Sequence, residues 1–240
     1  MMRLVRGELV KVRTTRTALG FGAAAVLLVV AVVLASILGG EPDTVNDKRD
    51  AINVGGALSI PLLLFGIVGA TGEFRHHTLA PAVLIAPDRV RLTLARVGAY
   101  ALTALLVGVV MVAVGLLMGV PLLADQAGPD LGTGDYALVC AGGLLACALA
   151  AALGAGVGVL VRNQVAAVVG ALVWLFILEP LLPLISEDAA HYGALTAAAT
   201  VGGGHPDDAL PWGGALAVLV GWAVVFIGVG LLVDRRRDVD

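Results

Sequence analysis

The fold class this sequence predicts is an all-α integral membrane protein, with an N-terminal interfacial helix, six transmembrane helices and both termini cytoplasmic. Three observations carry that expectation. The 240 residues are 59% hydrophobic and only 14% charged, whereas a soluble domain is typically about 45–50% apolar and about 25% charged. The apolar residues gather into six runs, each near or above the roughly 20 residues that a helix needs to cross a hydrocarbon core of about 30 Å. Basic residues, finally, crowd the alternate connections between those runs. The runs are continuous and rich in Leu, Val and Ala, which excludes the alternating strands of a membrane β-barrel and leaves helices, whose backbone groups are satisfied within each segment. A net charge of −3 gives no overall basicity that would suggest nucleic acid as a partner.

Residues 1–16 form the interfacial element. On a helical wheel Leu4, Val5, Leu9 and Val12 share one arc, while Arg3, Arg6, Lys11 and Arg13 lie opposite, with Val10 among them. Such a helix lies in the lipid boundary with its arginines toward anionic headgroups. Its basic region is too long and too helix-patterned for a secretory signal. Glu8 falls on the apolar arc and needs a cationic or hydrogen-bonding partner, either Lys11 one turn on or the rest of the protein.

The spans then follow at about 17–38, 51–70, 92–120, 136–161, 164–185 and 212–233. Arg96, near the start of the third, can snorkel to the interface. Ala150, Gly154 and Gly158 on the fourth, Gly115 and Gly119 on the third, and Gly214, Gly221 and Gly228 on the sixth repeat at helical spacings. Small residues so placed let helices approach closely in lipid. Orientation follows from the positive-inside rule. Arg3, Arg6, Lys11, Arg13, Arg16, Arg75, Arg89, Arg91, Arg96, Arg162 and Arg235–Arg237 all fall on one side. The other side holds only Lys48 and Arg49 among many acids.

Between the second and third spans, residues 71–91 make a polar, basic cytoplasmic loop. Its apolar patch Leu79–Ala86 suits a short surface helix that begins near Thr78 and ends at Pro87. Residues 186–211 are the longest external loop, acidic and solvated, with a stretch Tyr192–Val201 able to form a short helix dipping into the outer membrane face. Glu187 and His191 lie one turn apart there, yet a solvated loop outweighs a metal site, and no metal is expected.

Catalytic signatures are few. No GxxxxGK[ST] phosphate loop occurs, so ATP hydrolysis by that route is excluded, and neither HExxH nor GxSxG appears. GAGVG at Gly154–Gly158 follows no strand and lies inside a lipid-length run, so it is not a nucleotide loop. Cys140 and Cys147 lie seven residues apart on one helix, about 10 Å by helical rise, too far for a disulfide; they are packing residues. Glu179 is the one ionisable residue well inside a run. Pro180 and Pro183 beside it should kink or end the fifth helix. Two readings stand: a pathway residue near the outer mouth, or a hydrated carboxylate near the outer interface.

GELVKVRTTRT (Gly7–Thr17), GEFRHHT (Gly72–Thr78) with PDR (Pro87–Arg89), LVRNQVAAVV (Leu160–Val169) and LEPLLP (Leu178–Pro183), in that order along six spans, together resemble the bacterial ABC-2 type permeases, the membrane subunits of ABC exporters. The first is similar to their E-x-x-K-x-R-T-x-R lead into the first span. The second, with PDR, resembles their E-x-R-x-G-T…P-x-R loop, His77 standing where the family has glycine. The last two resemble their fourth–fifth loop and fifth span. The resemblance covers essentially the whole chain, residues 1–240 as one transmembrane domain. It implies a multi-pass permease in the bacterial cell membrane, paired with a second copy or a sister permease and resting on a cytoplasmic ABC ATPase that binds ATP and Mg. This chain would then carry no cofactor and no catalytic residue, and would export an amphipathic drug, peptide or lipid. Glu73, Arg75, Thr78 and Arg89 would belong to the loop that couples to the ATPase, Arg162 to a second contact, and Glu8, Lys11 and Arg13 to the interfacial helix beside them. The competing readings are a membrane-embedded enzyme, which would need Glu179, Asp135 and a histidine to meet in one buried cavity, and an ion-coupled transporter acting alone.

Overall fold

A computed structural model describes residues 2–38, 44–75, 89–124, 126, 129–204 and 210–236, and every regular element among them is helical. Six segments are long and apolar enough to cross a membrane, so the chain has the build of a multi-pass helical membrane protein.

The helix α1 (Met2–Thr14) stops at Thr15, whose hydroxyl and N–H both turn back to the Val12 carbonyl, at 2.9 and 3.2 Å. The first span follows as α2 (Arg16–Leu38). A capping box at Thr44 starts α3 (Val45–Ile52): Thr44 Oγ1 accepts the Asp47 N–H and Asp47 Oδ2 accepts the Thr44 N–H, each at 3.1 Å. After a break the second span continues as α4 (Ile60–Arg75). The third is α5 (Arg89–Ala124), which carries Pro121 in its last turn. The fourth is α6 (Thr133–Val161), begun by Asp135, which accepts the Gly132 N–H at 2.8 Å. Asn163 caps α7 (Gln164–Val173) by accepting the Ala166 N–H at 3.1 Å. Short helices α8 (Glu187–Ala190) and α9 (Ala194–Val201) precede the last span, α10 (Trp212–Arg236).

The pair α4 and α6 forms the buried centre, whereas α2, α7 and α10 are largely outward-facing. Glycine sets the closeness of the central pair. A Cβ on Gly154 would strike the Leu63 carbonyl oxygen, one on Gly66 the Ala151 carbonyl oxygen, and one on Gly158 would lie 2.9 Å from the Ala70 Cβ. Because Leu63 meets Gly154 and Ala70 meets Gly158, the two helices run parallel. Gly156 and Gly230 seat α10 parallel to α6 in the same way, and Gly22, Gly115 and Gly119 seat α2 along α5. Gly108 facing Cys147 and Gly143 facing Val112 make α5 antiparallel to α6. One end of the bundle therefore collects α1, the start of α2, the end of α4, the start of α5, Arg162 after α6, and the end of α10.

Several expectations are corrected. The second span is not one helix over 51–70, because the chain breaks at Asn53–Gly55 and makes a 3₁₀ turn, Gly56–Ser59, before resuming. The Asn53 side chain takes the Gly55 N–H at 2.7 Å, and Gly56 has φ +55°, a left-handed conformation that glycine adopts at no steric cost. The loop expected over 71–91 is helical at both ends: α4 runs on to Arg75 past the buried Thr71, and α5 already begins at Arg89, ahead of the buried Leu92. The surface helix expected over Thr78–Ala86 lies outside the described residues. Arg96 does not snorkel; it is fully buried, because its position on α5 faces the bundle. Among the described residues nothing stands near where a Cβ on Gly221 or Gly228 would lie, and the neighbours of Gly214 are Leu210 and Pro211 just before its own helix, so no described helix packs on this stripe. Within residues 186–211 the short helix expected over Tyr192–Val201 is present as α9, but it is largely buried against the break in the second span and against α6 and α10, so this stretch is not solvated.

Candidate functional site

The end of the bundle that carries most of the arginines holds nearly every residue expected to couple to a partner. Glu8 is buried although it lies on the apolar arc of α1, and Lys11 meets its Oε1 at 2.7 Å. An ion pair half closed off from solvent anchors this turn, as the local alternative for Glu8 foresaw. Val12, one turn on, is buried with Ala70, Val97, Tyr100 and Val159. Val12 thus meets protein where the sequence suggested lipid, and Glu8, on the same arc, is closed off with it. Arg13 lies in the last turn of α1, Glu73 and Arg75 in the last turn of α4, and Arg89 opens α5. Their side chains, and Thr78 altogether, lie outside the described residues. Arg162 is half-buried and sits at the C-terminus of α6 with φ +57°, its N–H donated to the Gly158 carbonyl at 3.0 Å. A non-glycine residue in the left-handed region is uncommon; here it turns the chain sharply from α6 into α7.

Sequence reasoning missed the buried polar residues on this side. Arg96 and Thr93 on α5 and Thr71 on α4 are all buried, and Thr71 satisfies its hydroxyl on the Ile67 carbonyl at 2.8 Å. The signal for Arg96 was its position four residues before Tyr100, a buried face residue of the same helix.

At the opposite end, Glu179 joins two elements that the sequence left separate. The fifth span does not run straight through it. After Val173 the helix loosens into a π turn, Trp174–Leu178, closed by the Glu179 N–H on the Trp174 carbonyl, and then tightens into a 3₁₀ segment, Glu179–Leu184. Pro180 and Pro183 lack the N–H groups that would keep an α-helix going. This carries the Glu179 side chain to the N-terminus of α9, where Oε1 accepts the Leu195 N–H at 2.7 Å and the Thr196 N–H at 3.0 Å. Glu179 is only 5% exposed, so the reading of a hydrated interfacial carboxylate is overturned. A carboxylate is the acceptor best suited to the free N–H groups and partial positive charge of a helix start. Its Oε2 is buried with no hydrogen-bond partner among the described residues.

A glycine-lined seam holds α9 in place. Cβ atoms on Gly55 and Gly142 would strike the carbonyl oxygens of Ala198 and Val201, and one on Gly193 would strike Glu179 itself. Asn53 Nδ2 donates to the Ala199 carbonyl at 3.1 Å, and Trp212 Nε1 to the Val201 carbonyl at 3.0 Å. The signals were present as Asn53 before Gly55–Gly56 and as the Gly202–Gly204 run, but neither shows in sequence what it packs against.

Two cations stand at this second end beside acids. Lys48 Nζ is 3.9 Å from Asp130, and Arg49 is 3.6 Å from Asp135. Asp135 is thereby engaged in a helix cap and an ion pair, while Glu179 is engaged with α9. The two carboxylates are thus held by different partners, and no cluster of three metal-ligating side chains occurs among the described residues. Searched for relatives, the chain matches no protein-family model and no curated protein.

Proposed function

We propose that this chain is the membrane-spanning permease subunit of an ATP-driven ABC-2 type exporter, which moves an amphipathic substrate out of the cell while a separate subunit hydrolyses ATP. The observation that carries the reading is the seating of α1. By burying Glu8 and Val12 against the bundle, α1 becomes part of the same end that presents both borders of the 71–91 segment and Arg162. A partner bearing on this end would push on α4 and α6, the closely packed centre, and so on every span.

Charge supports the orientation. Arg16, Arg91, Arg96 and Arg162 belong to the α1 end, whereas the only two cations of the opposite end stand beside acids. By the positive-inside rule the α1 end is cytoplasmic, and both termini with it. Glu179 then lies toward the outer side, and its second, buried oxygen is an acceptor for a hydrogen-bond donor on a passing substrate. A second permease copy and a cytoplasmic ABC ATPase are the partners of this reading, with ATP and Mg on the ATPase.

The test is co-expression with a candidate ATPase and measurement of nucleotide turnover in the purified complex. The expected result is co-purification, and turnover lost in Glu73→Ala while the complex still assembles. Full turnover in that variant, or failure of any ATPase to associate, would refute the proposal.

A further inference from the structure

A cavity of about 230 Å³ lies between α6, α7 and α10, lined almost wholly by apolar atoms. Its wall on α6 runs from Leu153 to Val161, a rise of about 12 Å along the bundle axis. Trp174, Trp222 and Phe226 close one side. Trp222 stands edge-on to Trp174 at 5.4 Å and stacks on Phe226 at 5.8 Å, and its indole N–H is fixed on the Tyr192 carbonyl at 2.9 Å. The α7 wall is made of small residues, among them Ala166 and Gly170, both exposed, so the cavity opens sideways along a membrane span.

Size and polarity decide what fits. A dry apolar cavity of about 150 Å³ already takes up benzene, whereas drug-sized ligands occupy about 300–1,000 Å³. An apolar space between these limits, with a wall about 12 Å long on α6, suits a stretch of one hydrocarbon chain. Val161 lines its end and is itself partly exposed. The next residue is Arg162, in the turn that starts α7. Arg162 immediately precedes the N-cap of this ten-residue helix, and a guanidinium together with the N–H groups of a helix start is a combination suited to a phosphate.

We propose that the cavity and the Arg162 turn together bind one membrane phospholipid, its acyl chain between α6, α7 and α10 and its phosphate at Arg162. The bilayer is the source, because the opening faces sideways from a span and leads to hydrocarbon. The inference does not rest on the permease reading and holds for any six-span protein of this build.

The test uses the full chain in detergent micelles, titrated with phosphatidylglycerol brominated on one acyl chain, with tryptophan emission as the readout. Trp174 and Trp222 line the cavity, so a bound chain quenches them to saturation. Gly170→Phe fills the cavity from a position with open space around it and is expected to abolish the saturable quenching. Gly221→Phe adds the same bulk where no neighbour lies and leaves the quenching unchanged. Arg162→Gln shifts the midpoint to higher lipid by about fivefold, the worth of one cation near a phosphate surface. Millimolar inorganic phosphate leaves the midpoint where it was. If Gly170→Phe fails to fold, Ala166→Leu fills the cavity from the neighbouring turn. Quenching that rises without saturation, or that is the same in wild type and in the filled variant, means annular lipid only and overturns the proposal. Displacement by inorganic phosphate would equally overturn it, in favour of a free-anion site.

Discussion

Along α6, Ala150, Gly154 and Gly158 recur every four residues; along α10, Gly214, Gly221 and Gly228 recur every seven. In sequence both read as small-residue packing stripes. In the structure the first lies against the backbone of α4, so close that a single added carbon at Gly154 meets a carbonyl oxygen, whereas Gly221 and Gly228 face open space. What separates them is the neighbour, not the spacing. A glycine row states that a close approach is permitted, and only the partner helix makes it necessary. The buried contact of α10 with α6 runs instead through Gly230 and Ile227, against Gly156.

The sharpest way to break this comparison is Gly154→Leu. The new side chain would have to displace α4 backbone at Leu63 and Ile67 rather than rotate a flexible side chain aside. Overpacking a dense core typically costs about 1–3 kcal/mol and occasionally more, and this site should fall at about 3 kcal/mol or above. Reversible unfolding in mixed micelles reads the change. A loss below about 1 kcal/mol would show that α4 and α6 can separate without penalty and that the central pair is not the core.

The same contrast explains what the sequence could and could not reveal. The six spans were legible because apolar length is a local property, and α7 and α10 start at Gln164 and Trp212, where the fifth and sixth spans were expected to begin. The α6 stripe was legible as well. The break at Asn53 was not, because residues 51–70 are uniformly uncharged and nothing local tells a bent apolar segment from a straight one. Its cause lies far along the chain, in the Ala199 carbonyl that Asn53 meets. Arg96 was misjudged for a related reason: charge predicts exposure on average, and only tertiary contacts reveal an exception. For Glu179 the prolines predicted the disturbed helix, but the α9 N-terminus that receives its carboxylate lies sixteen residues on.

That clasp gives the next effect in size. Glu179→Ala strips the acceptor from two N–H groups at the start of α9 and should cost about 1–2 kcal/mol, the usual range for a lost helix cap. Glu179→Gln keeps a carbonyl oxygen in the same place and should recover most of that loss. If Glu179 also lines a substrate path, the glutamine variant separates the roles: stability near wild type, transport reduced. Equal stability in the alanine and wild-type proteins would mean that the clasp does not hold α9. Asn53→Ala, at the other side of α9, removes the bonds to Ala199 and Gly55 and should cost about 1 kcal/mol, the net worth of a typical hydrogen bond or slightly more. Hydrogen exchange at Ala194–Val201 would rise in both alanine variants while exchange in α6 stays slow, since only the local element loosens.

The smallest effect is expected where the comparison began, at Gly221→Leu. Nothing among the described residues lies near the position, so unfolding of the isolated protein should change by no more than about 0.5 kcal/mol, as for most outward substitutions. Replacing helical glycine even gives back some backbone entropy, which sets the sign toward slight stabilisation. The same substitution examined by size distribution in mild detergent then carries independent information. A neutral unfolding result combined with a shift to smaller particles would mean that this stripe is a close-approach surface after all, with its partner on another chain. Unchanged particle size would leave α10 a lipid-facing helix in which glycine has no packing role. Either way the test separates what a small residue allows from what a neighbour requires, and the Gly154 and Gly221 variants together measure that difference at the same change in side-chain volume.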